Sequence, residues 1–287
     1  MRNTASLKTV SNELVYPRQD MKWFIPGFLG WLLLYFIPFV LSLISSFMTD
    51  NANATFAWFD NYIIIFRDSY FFLSLKNIVF FLLIVIIFTI ILGLTIAQIL
   101  FVTHRIQGIL LFFLLPLFLP APSIAAIWNV MIGSGSPLAG LLRLYDEQWN
   151  FLSLFMLFLW KSIGATAALY LTGMRAINKS IFYAAQVDGA NKKALFFRIE
   201  LPMLRNISAF ALLFLLMNGV KIFRESYMLY GAYPPPNLFF VQHYINLSFA
   251  RLDFGLLSAA GTVFSIFIVC VFSIIWKCLS RGEDDAE

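Results

Sequence analysis

Charge is what this chain has least of: only 12% of its 287 residues are Asp, Glu, Lys or Arg, where soluble domains carry roughly a quarter. With 61% hydrophobic residues, that scarcity excludes a soluble globular fold. Cysteine is nearly absent. Cys270 and Cys278 both fall in the last apolar run, so they cannot staple loops together and read as small buried hydrophobes. The two histidines, His104 and His243, fall on opposite sides of the membrane in the topology below. That separation excludes a His pair, a shared metal or a base beside an intramembrane nucleophile, and no catalytic or metal-ligating residue is expected. No Gly-x-x-x-x-Gly-Lys-Ser/Thr phosphate loop occurs, so ATP hydrolysis is not expected in this chain. Nor does any Asp or Glu fall inside the apolar runs, which argues against an ion-coupled carrier, since those need ionisable groups at membrane depth.

What the chain does have is long apolar runs. Lipid leaves the backbone only helices or closed barrels. Barrel strands alternate apolar and polar residues, and IVFFLLIVIIFTIILGLTIA does not. The expected fold is therefore an all-α polytopic membrane protein with six spans, near 24–48, 77–101, 108–132, 151–174, 203–222 and 254–278. Each holds the ~20 residues that cross a hydrocarbon core. The first is too long for a signal-peptide core and lacks a small-x-small cleavage site, so it counts as a helix.

Basic residues orient the bundle. With the N-terminus in the cytoplasm, thirteen of the twenty Lys and Arg residues lie in inner segments, six in outer ones, and Lys161 within a span. The positive-inside rule then puts both termini in the cytoplasm, and lipid rather than nucleic acid accounts for the net charge of +5.

One compact polar insert interrupts the apolar pattern between the fourth and fifth spans: YAAQVDGANKKALFFRIELP, Tyr183–Pro202. Asn178 and Ser180 offer N-cap oxygens to a first short helix, and Gly189 a left-handed stop. Asn191 caps a second, along which Leu195 and Ile199 share an apolar stripe. Leu201-Pro202 is expected to end it, because the residue before proline is biased out of helix. An interfacial helix meeting anionic lipid would account for this composition. The spacing points further.

Ala184, Ala185, Asp188, Gly189 and Ala190, followed by Phe196, Ile199, Leu201 and Pro202, closely resemble the E-A-A-x-x-D-G-A … I-x-L-P signature of permease subunits of bacterial binding-protein-dependent ABC importers. Ser248, Phe249, Gly255, Ser258 and Ala259, with Trp160-Lys161 ahead of the insert, resemble the carbohydrate, maltose-transporter-like subgroup. The similarity covers about 77–278. It implies a five-helix permease core over 77–278, preceded by a cytoplasmic segment 1–23 and one extra helix 24–48, and followed by a cytoplasmic tail 279–287. It implies that the insert, 178–201, is a coupling helix docking into a cytoplasmic ATPase through Tyr183, Ala184, Ala185, Asp188, Gly189, Ala190 and Pro202. The implied function is one half of a sugar translocation pathway in the bacterial inner membrane. Its partners would be a second, different permease, an ATPase dimer holding ATP and Mg, and an extracytoplasmic substrate-binding protein. An ion-coupled secondary transporter and a sensory permease are the alternatives. Two positions depart from the pattern. Tyr183 replaces the leading glutamate, keeping packing area and a hydroxyl but no charge, and Asn206 stands where a proline is frequent.

Polar groups on the fourth and fifth spans are the substrate-path candidates. Ser162, Thr166 and Tyr170 recur at helical spacing on one face, beside Lys161 near mid-span. Asn218, Lys221 and Glu225 share a face of the fifth. For the hydroxyls interhelical packing competes with the path reading, and for Lys221 with Glu225 a wetted ion pair. Lys161 is expected to face a watered cavity rather than lipid, where a lysine costs ~2.5–3.5 kcal/mol at mid-membrane; the alternative is a structural lysine bonded to backbone carbonyls of a neighbouring helix. The proline-rich YGAYPPPNLFF, Tyr230–Phe240, reads as a stiff outer loop, and in the resembled family this region faces the binding protein.

Overall fold

A computed structural model describes residues 21–49, 55–103, 107–133, 136 and 147–284. His104 and Arg105 lie outside the described residues. The chain divides into an N-terminal unit, Met1–Ile44, and a larger one, Ser45–Glu287. The first contains α1 (Met21–Trp31), which runs through a π-helical turn at Leu32–Phe36 into the start of α2 (Ile37–Ser45).

Among the described residues of the larger unit the regular elements are helices, and the strand-like pairing is one isolated bridge between Met48 and Phe56. Its elements are α3 (Asp60–Arg67), α4 (Ser69–Thr103), α5 (Gln107–Phe118), α6 (Ala121–Ile132), α7 (Asn150–Ala176), α8 (Lys179–Val187), α9 (Lys192–Ala194), α10 (Leu201–Met203), α11 (Arg205–Val220), α12 (Phe223–Tyr230), α13 (Val241–Ala250) and α14 (Phe254–Asp284). Apolar side chains all round, rather than on one stripe, mark helices surrounded by protein and lipid.

Among the described residues five helices are long and apolar enough to cross a membrane: Phe24–Ser45, Ser69–Thr103, Asn150–Ala176, Arg205–Tyr230 and Phe254–Lys277. The third expected span differs. Leu110–Phe118 and Ala121–Ile132 are bent by 117° at their junction, so they form a broken pair rather than a rod. Three prolines explain the break. Pro116 lies inside α5, Pro120 is extended at φ −67°, ψ 151°, and Pro122 opens α6, where its missing N–H costs nothing. The fifth span is longer than expected. Its backbone turns at Lys221 and Ile222, then resumes helix through Tyr230. That extension carries Glu225 into an apolar segment read above as free of acid.

The α4 and α7 rods pack along much of their length, with α5, α11 and α13 beside them. Aromatic rings fill the centre: Phe81 meets Phe151, Phe158 and Phe240 at 5.6–6.1 Å between centroids, separations typical of favourable edge and tilted pairs. Tyr170, Leu171, Met174, Leu204 and Ala211 form a second buried cluster towards the insert. Cys270 is exposed on α14 rather than buried, because the apolar helix turns that side away from its neighbours.

Helix contact in a bilayer depends on dispersion and close backbone approach rather than on expelled water. Gly164 makes the tightest such approach. A β-carbon there would lie 2.0 Å from the Phe113 carbonyl oxygen, which is backbone and cannot yield by changing rotamer. Gly261 on α14 has nothing within 4 Å of the same position. Gly164→Ala is therefore expected to lower the thermal midpoint of the purified protein by several degrees. Gly261→Ala is expected to hold or raise it, since alanine favours helix over glycine by ~1 kcal/mol. Equal midpoints for the two variants would contradict the α5–α7 contact.

Candidate functional site

The insert is built as its residues dictate. Asn178 Oδ1 accepts from the Ser180 N–H at 3.0 Å and caps α8. Gly189 sits at φ +84°, where a β-carbon is strained. Its N–H reaches the Gln186 carbonyl at 3.0 Å, and the Ala190 N–H reaches Ala185 at 2.9 Å. These two bonds form a Schellman stop. Asn191 Oδ1 then accepts from Ala194 N–H at 2.8 Å and starts the next turn. Leu201 departs from expectation. It is helical at φ −62°, ψ −44°, because a wide π turn at Leu195–Glu200 carries the chain into the Pro202 turn, and the direction changes only at Leu204 (φ −84°, ψ 7°).

Of the coupling candidates, Tyr183, Ala184, Asp188, Gly189 and Pro202 are exposed, while Ala185 and Ala190 are half-buried. Val187, 88% exposed, and Tyr183, 63% exposed, give this polar loop an uncovered apolar face. Glu200 anchors the loop from behind. Buried to 3% exposure, its Oε2 accepts from Gln98 Nε2 of α4 at 3.3 Å. Burial raises the Glu200 carboxyl above its ordinary range, and the Gln98 amide partly offsets this.

The candidates on α7 are all buried. Thr166 Oγ1 donates to the Ser162 carbonyl at 3.0 Å, and Tyr170 OH donates across to Ser208 Oγ of α11 at 3.1 Å. Ser162 Oγ makes no hydrogen bond to the described residues. Lys161 is not on a watered wall. Its ammonium donates to Glu225 Oε1 of α12, and both side chains are buried. The expected Lys221–Glu225 pair does not form: Lys221 is exposed at the end of α11, and the turn at Lys221–Ile222 aims Glu225 towards α7 instead. Asn218 Nδ2 donates to the Phe214 carbonyl at 2.9 Å within its own helix. The structure thus joins Lys161 to Glu225 and stacks Ser162 with Thr166 and Tyr170. It places Lys221 apart, on an apolar groove with Met217, Ile268 and Phe272.

At the end of the bundle opposite the insert, residues 231–240 form a strap with a short 3-10 turn at Pro236–Leu238. Asn77 Nδ2 of α4 holds it by donating to the carbonyls of Pro236 at 2.6 Å and Phe239 at 3.0 Å. Two cavities flank it. One, of about 490 Å³, is lined by Trp128, Asn129, Asn150, Ser153, Tyr230 and Tyr233, with the prolines as its rim. The other, of about 390 Å³, carries Asp68, Arg251 and Asp253, with Tyr244 OH donating to Asp68 Oδ2 at 2.8 Å. His243 lies buried between Phe223, Phe239 and Phe240. Its Nδ1 accepts from the Phe240 N–H at 3.2 Å, so the neutral ring carries its proton on Nε2. Burial lowers its pKa to about 4 and keeps it neutral at physiological pH.

Sequence reasoning missed Glu225 as a core residue, the Gln98–Glu200 contact and the aromatic cavity. A span drawn on past Ile222 would have flagged the first.

No protein-family model matches the chain. It is similar to the sulfoquinovosyl glycerol transport system permease protein SmoG of Agrobacterium fabrum, 28% identical over 257 residues, or 85% of this chain and 82% of that one. It is 27% identical over 284 residues to the probable ABC transporter permease protein YurN of Bacillus subtilis, covering 91% and 96% of the two chains. Its fold is that of a chain from a bacterial ABC transporter that imports the acidic polysaccharide alginate, with a TM-score of 0.78 at 20% identity over 92% and 95%. A chain from a bacterial alginate ABC transporter in complex with an alginate pentasaccharide-bound periplasmic protein gives a TM-score of 0.73 at 21% identity over 92% and 93%.

Removing one member of a buried ion pair strands the other, at roughly 3–5 kcal/mol, whereas replacing both with apolar groups is often neutral. Glu225→Gln and Lys161→Met are each expected to lower the thermal midpoint markedly, and the double variant Lys161→Met/Glu225→Met to recover most of the loss. A double variant as unstable as the sum of the singles would contradict the pair.

Proposed function

We infer that this chain, a multi-pass permease subunit of the ABC sugar importers, forms half of the translocation pathway for a sugar or oligosaccharide and itself catalyses no reaction. The observation that carries its coupling role is the insert, a capped helix, a Schellman stop and a second capped turn, with Tyr183 and Val187 uncovered. An exposed apolar face on so polar a loop marks an interaction surface. Its partner in this reading is a cytoplasmic ATPase, one of a dimer that holds ATP and Mg, and Asp188, Gly189 and Pro202 shape the surface that docks. Tyr183 presents a ring where the family pattern has a carboxylate, so this contact relies on packing rather than charge.

ATP binding and hydrolysis in that dimer would move the insert as a rigid body. The movement would pass into α7 on one side and α11 on the other. Substrate would descend between these helices, with Ser162, Thr166 and Asn218 as the candidate path residues, towards the cytoplasmic end where the insert lies; Lys161 is held by Glu225 and Lys221 stands apart. Both termini are then cytoplasmic, and the host membrane is the bacterial inner membrane. A second, different permease completes the pathway, and an extracytoplasmic binding protein delivers substrate to the strap end. The periplasmic protein bound to the alginate importer supports that last partner. An ion-coupled carrier would need a free acid at membrane depth; Glu225 sits there but is held by Lys161.

Gly189→Val tests the coupling role. A β-branched residue at φ +84° is expected to cost ~1–2 kcal/mol locally, so substrate-stimulated ATP hydrolysis by the assembled complex should fall about tenfold while the complex still purifies. Full stimulation in a normally assembled complex would show that the turn does not shape the docking surface.

A further inference from the structure

The cavity under the strap holds a set of groups that the pathway candidates do not include. Trp128 and Trp160 stack with centroids 6.1 Å apart and planes 26° apart, and Trp128 Nε1–H donates to Ser153 Oγ at 3.0 Å. The indole that lines the cavity is therefore locked in place. Tyr230 is tied as well, its OH donating to the Asn150 carbonyl at 3.4 Å. Asn129 and Tyr233 differ: both are exposed, and neither side chain has a polar partner among the described residues. A rigid aromatic floor thus faces an uncommitted amide and an uncommitted phenol.

We propose that this cavity is a saccharide subsite at the outer mouth of the pathway, selective for an uncharged sugar ring; the proposal rests on the sugar-permease reading above. A sugar ring presents C–H patches on its faces and hydroxyls around its edge. Aromatic faces carry negative quadrupole density that attracts the C–H patches, while an amide offers a donor and an acceptor to neighbouring hydroxyls. The volume of about 490 Å³ falls within the ~300–1,000 Å³ of ordinary small-molecule sites. Selection against acidic sugars follows from the lining, which contains no Lys, Arg or His among the described residues. The one cation buried deeper on α7, Lys161, is already neutralised by Glu225. A carboxylate entering the cavity would lose water and gain no counter-charge. Across the strap, the second cavity shares Tyr233 with the first but carries Asp68, Arg251 and Asp253, so Arg251 serves as a charged control and Asn129 reports on the first cavity alone.

The test uses the complete transporter in proteoliposomes with saturating binding protein. Uptake is measured for maltose, maltotriose and arabinobiose, and for the acidic digalacturonate. Tyr233→Ala and Asn129→Leu are expected to raise the apparent KM for the neutral sugars at least fivefold, with kcat and sugar-independent ATP hydrolysis within twofold of wild type. Tyr233→Phe keeps the ring but loses the hydroxyl, so its KM should fall between wild type and Tyr233→Ala, while Arg251→Gln in the second cavity should stay close to wild type. Digalacturonate uptake should be at least tenfold slower than the best neutral sugar. Unchanged KM in both Tyr233→Ala and Asn129→Leu overturns the subsite while leaving the permease reading intact. Digalacturonate taken up as fast as neutral sugars overturns the charge selection. Absence of uptake of every sugar by the wild-type complex overturns the carbohydrate reading and the subsite with it.

Discussion

A lysine and a glutamate buried together impose the constraint on which the outer half of this molecule depends. Lys161 and Glu225 are both buried, and each alone would carry a desolvation penalty of several kcal/mol. Meeting across the α7–α12 contact pairs the two charges through Glu225 Oε1, while Oε2 has no partner among the described residues, and it fixes where α12 lies. The break at Lys221–Ile222 supplies the freedom to get there. Once α12 is tied to α7 it also packs on α6, and the Trp128–Trp160 stack closes the triangle from the other side. The cavity beneath the strap is the space these three helices leave.

The same α7 rod reaches the other end of the molecule. Its 27 residues span about 40 Å at 1.5 Å each, from Asn150 and Ser153 in the outer cavity to Asn178 at the first cap of the insert. Close backbone approach makes it a stiff member: Gly164 lies against the α5 backbone, and the Thr166 methyl fills the space over Gly93 of α4. Behind the insert, the Gln98–Glu200 contact ties the second short helix to α4. A force applied at the insert therefore meets two rods already packed together along much of their length. A rigid-body response is the physical expectation for such a pair, since packed cores shift between arrangements rather than deform smoothly.

Much of this was legible in the residues because local rules governed it. Asn178, Gly189 and Asn191 act within four residues of their partners, so capping and turn chemistry located both short helices correctly. Length and hydropathy located four of the long spans for the same reason. The failures share a different cause. Glu225 was read with Lys221 because the two are neighbours on an unbroken helix, but the turn between them gave Glu225 to a residue 64 positions away. The third span was read as straight although Pro116, Pro120 and Pro122 were visible, because hydropathy counts apolar residues and ignores missing N–H donors. Leu201 stayed helical against its proline bias because a π turn delivered it in the right direction. The outer cavity gathers residues from three distant segments, and no spacing rule joins them.

The central claim, that the Lys161–Glu225 bond fixes α12 against its neighbours, is tested most directly by a distance measured across the outer cavity. Val130 on α6 and Met228 on α12 are both exposed, so spin labels at Val130→Cys and Met228→Cys, with Cys270 and Cys278 replaced by Ser, report that separation by pulsed electron paramagnetic resonance in lipid nanodiscs. The account predicts one narrow distance distribution in the parent protein and a broadened or displaced one when Glu225→Gln is added. An unchanged narrow distribution in the Glu225→Gln protein would contradict it.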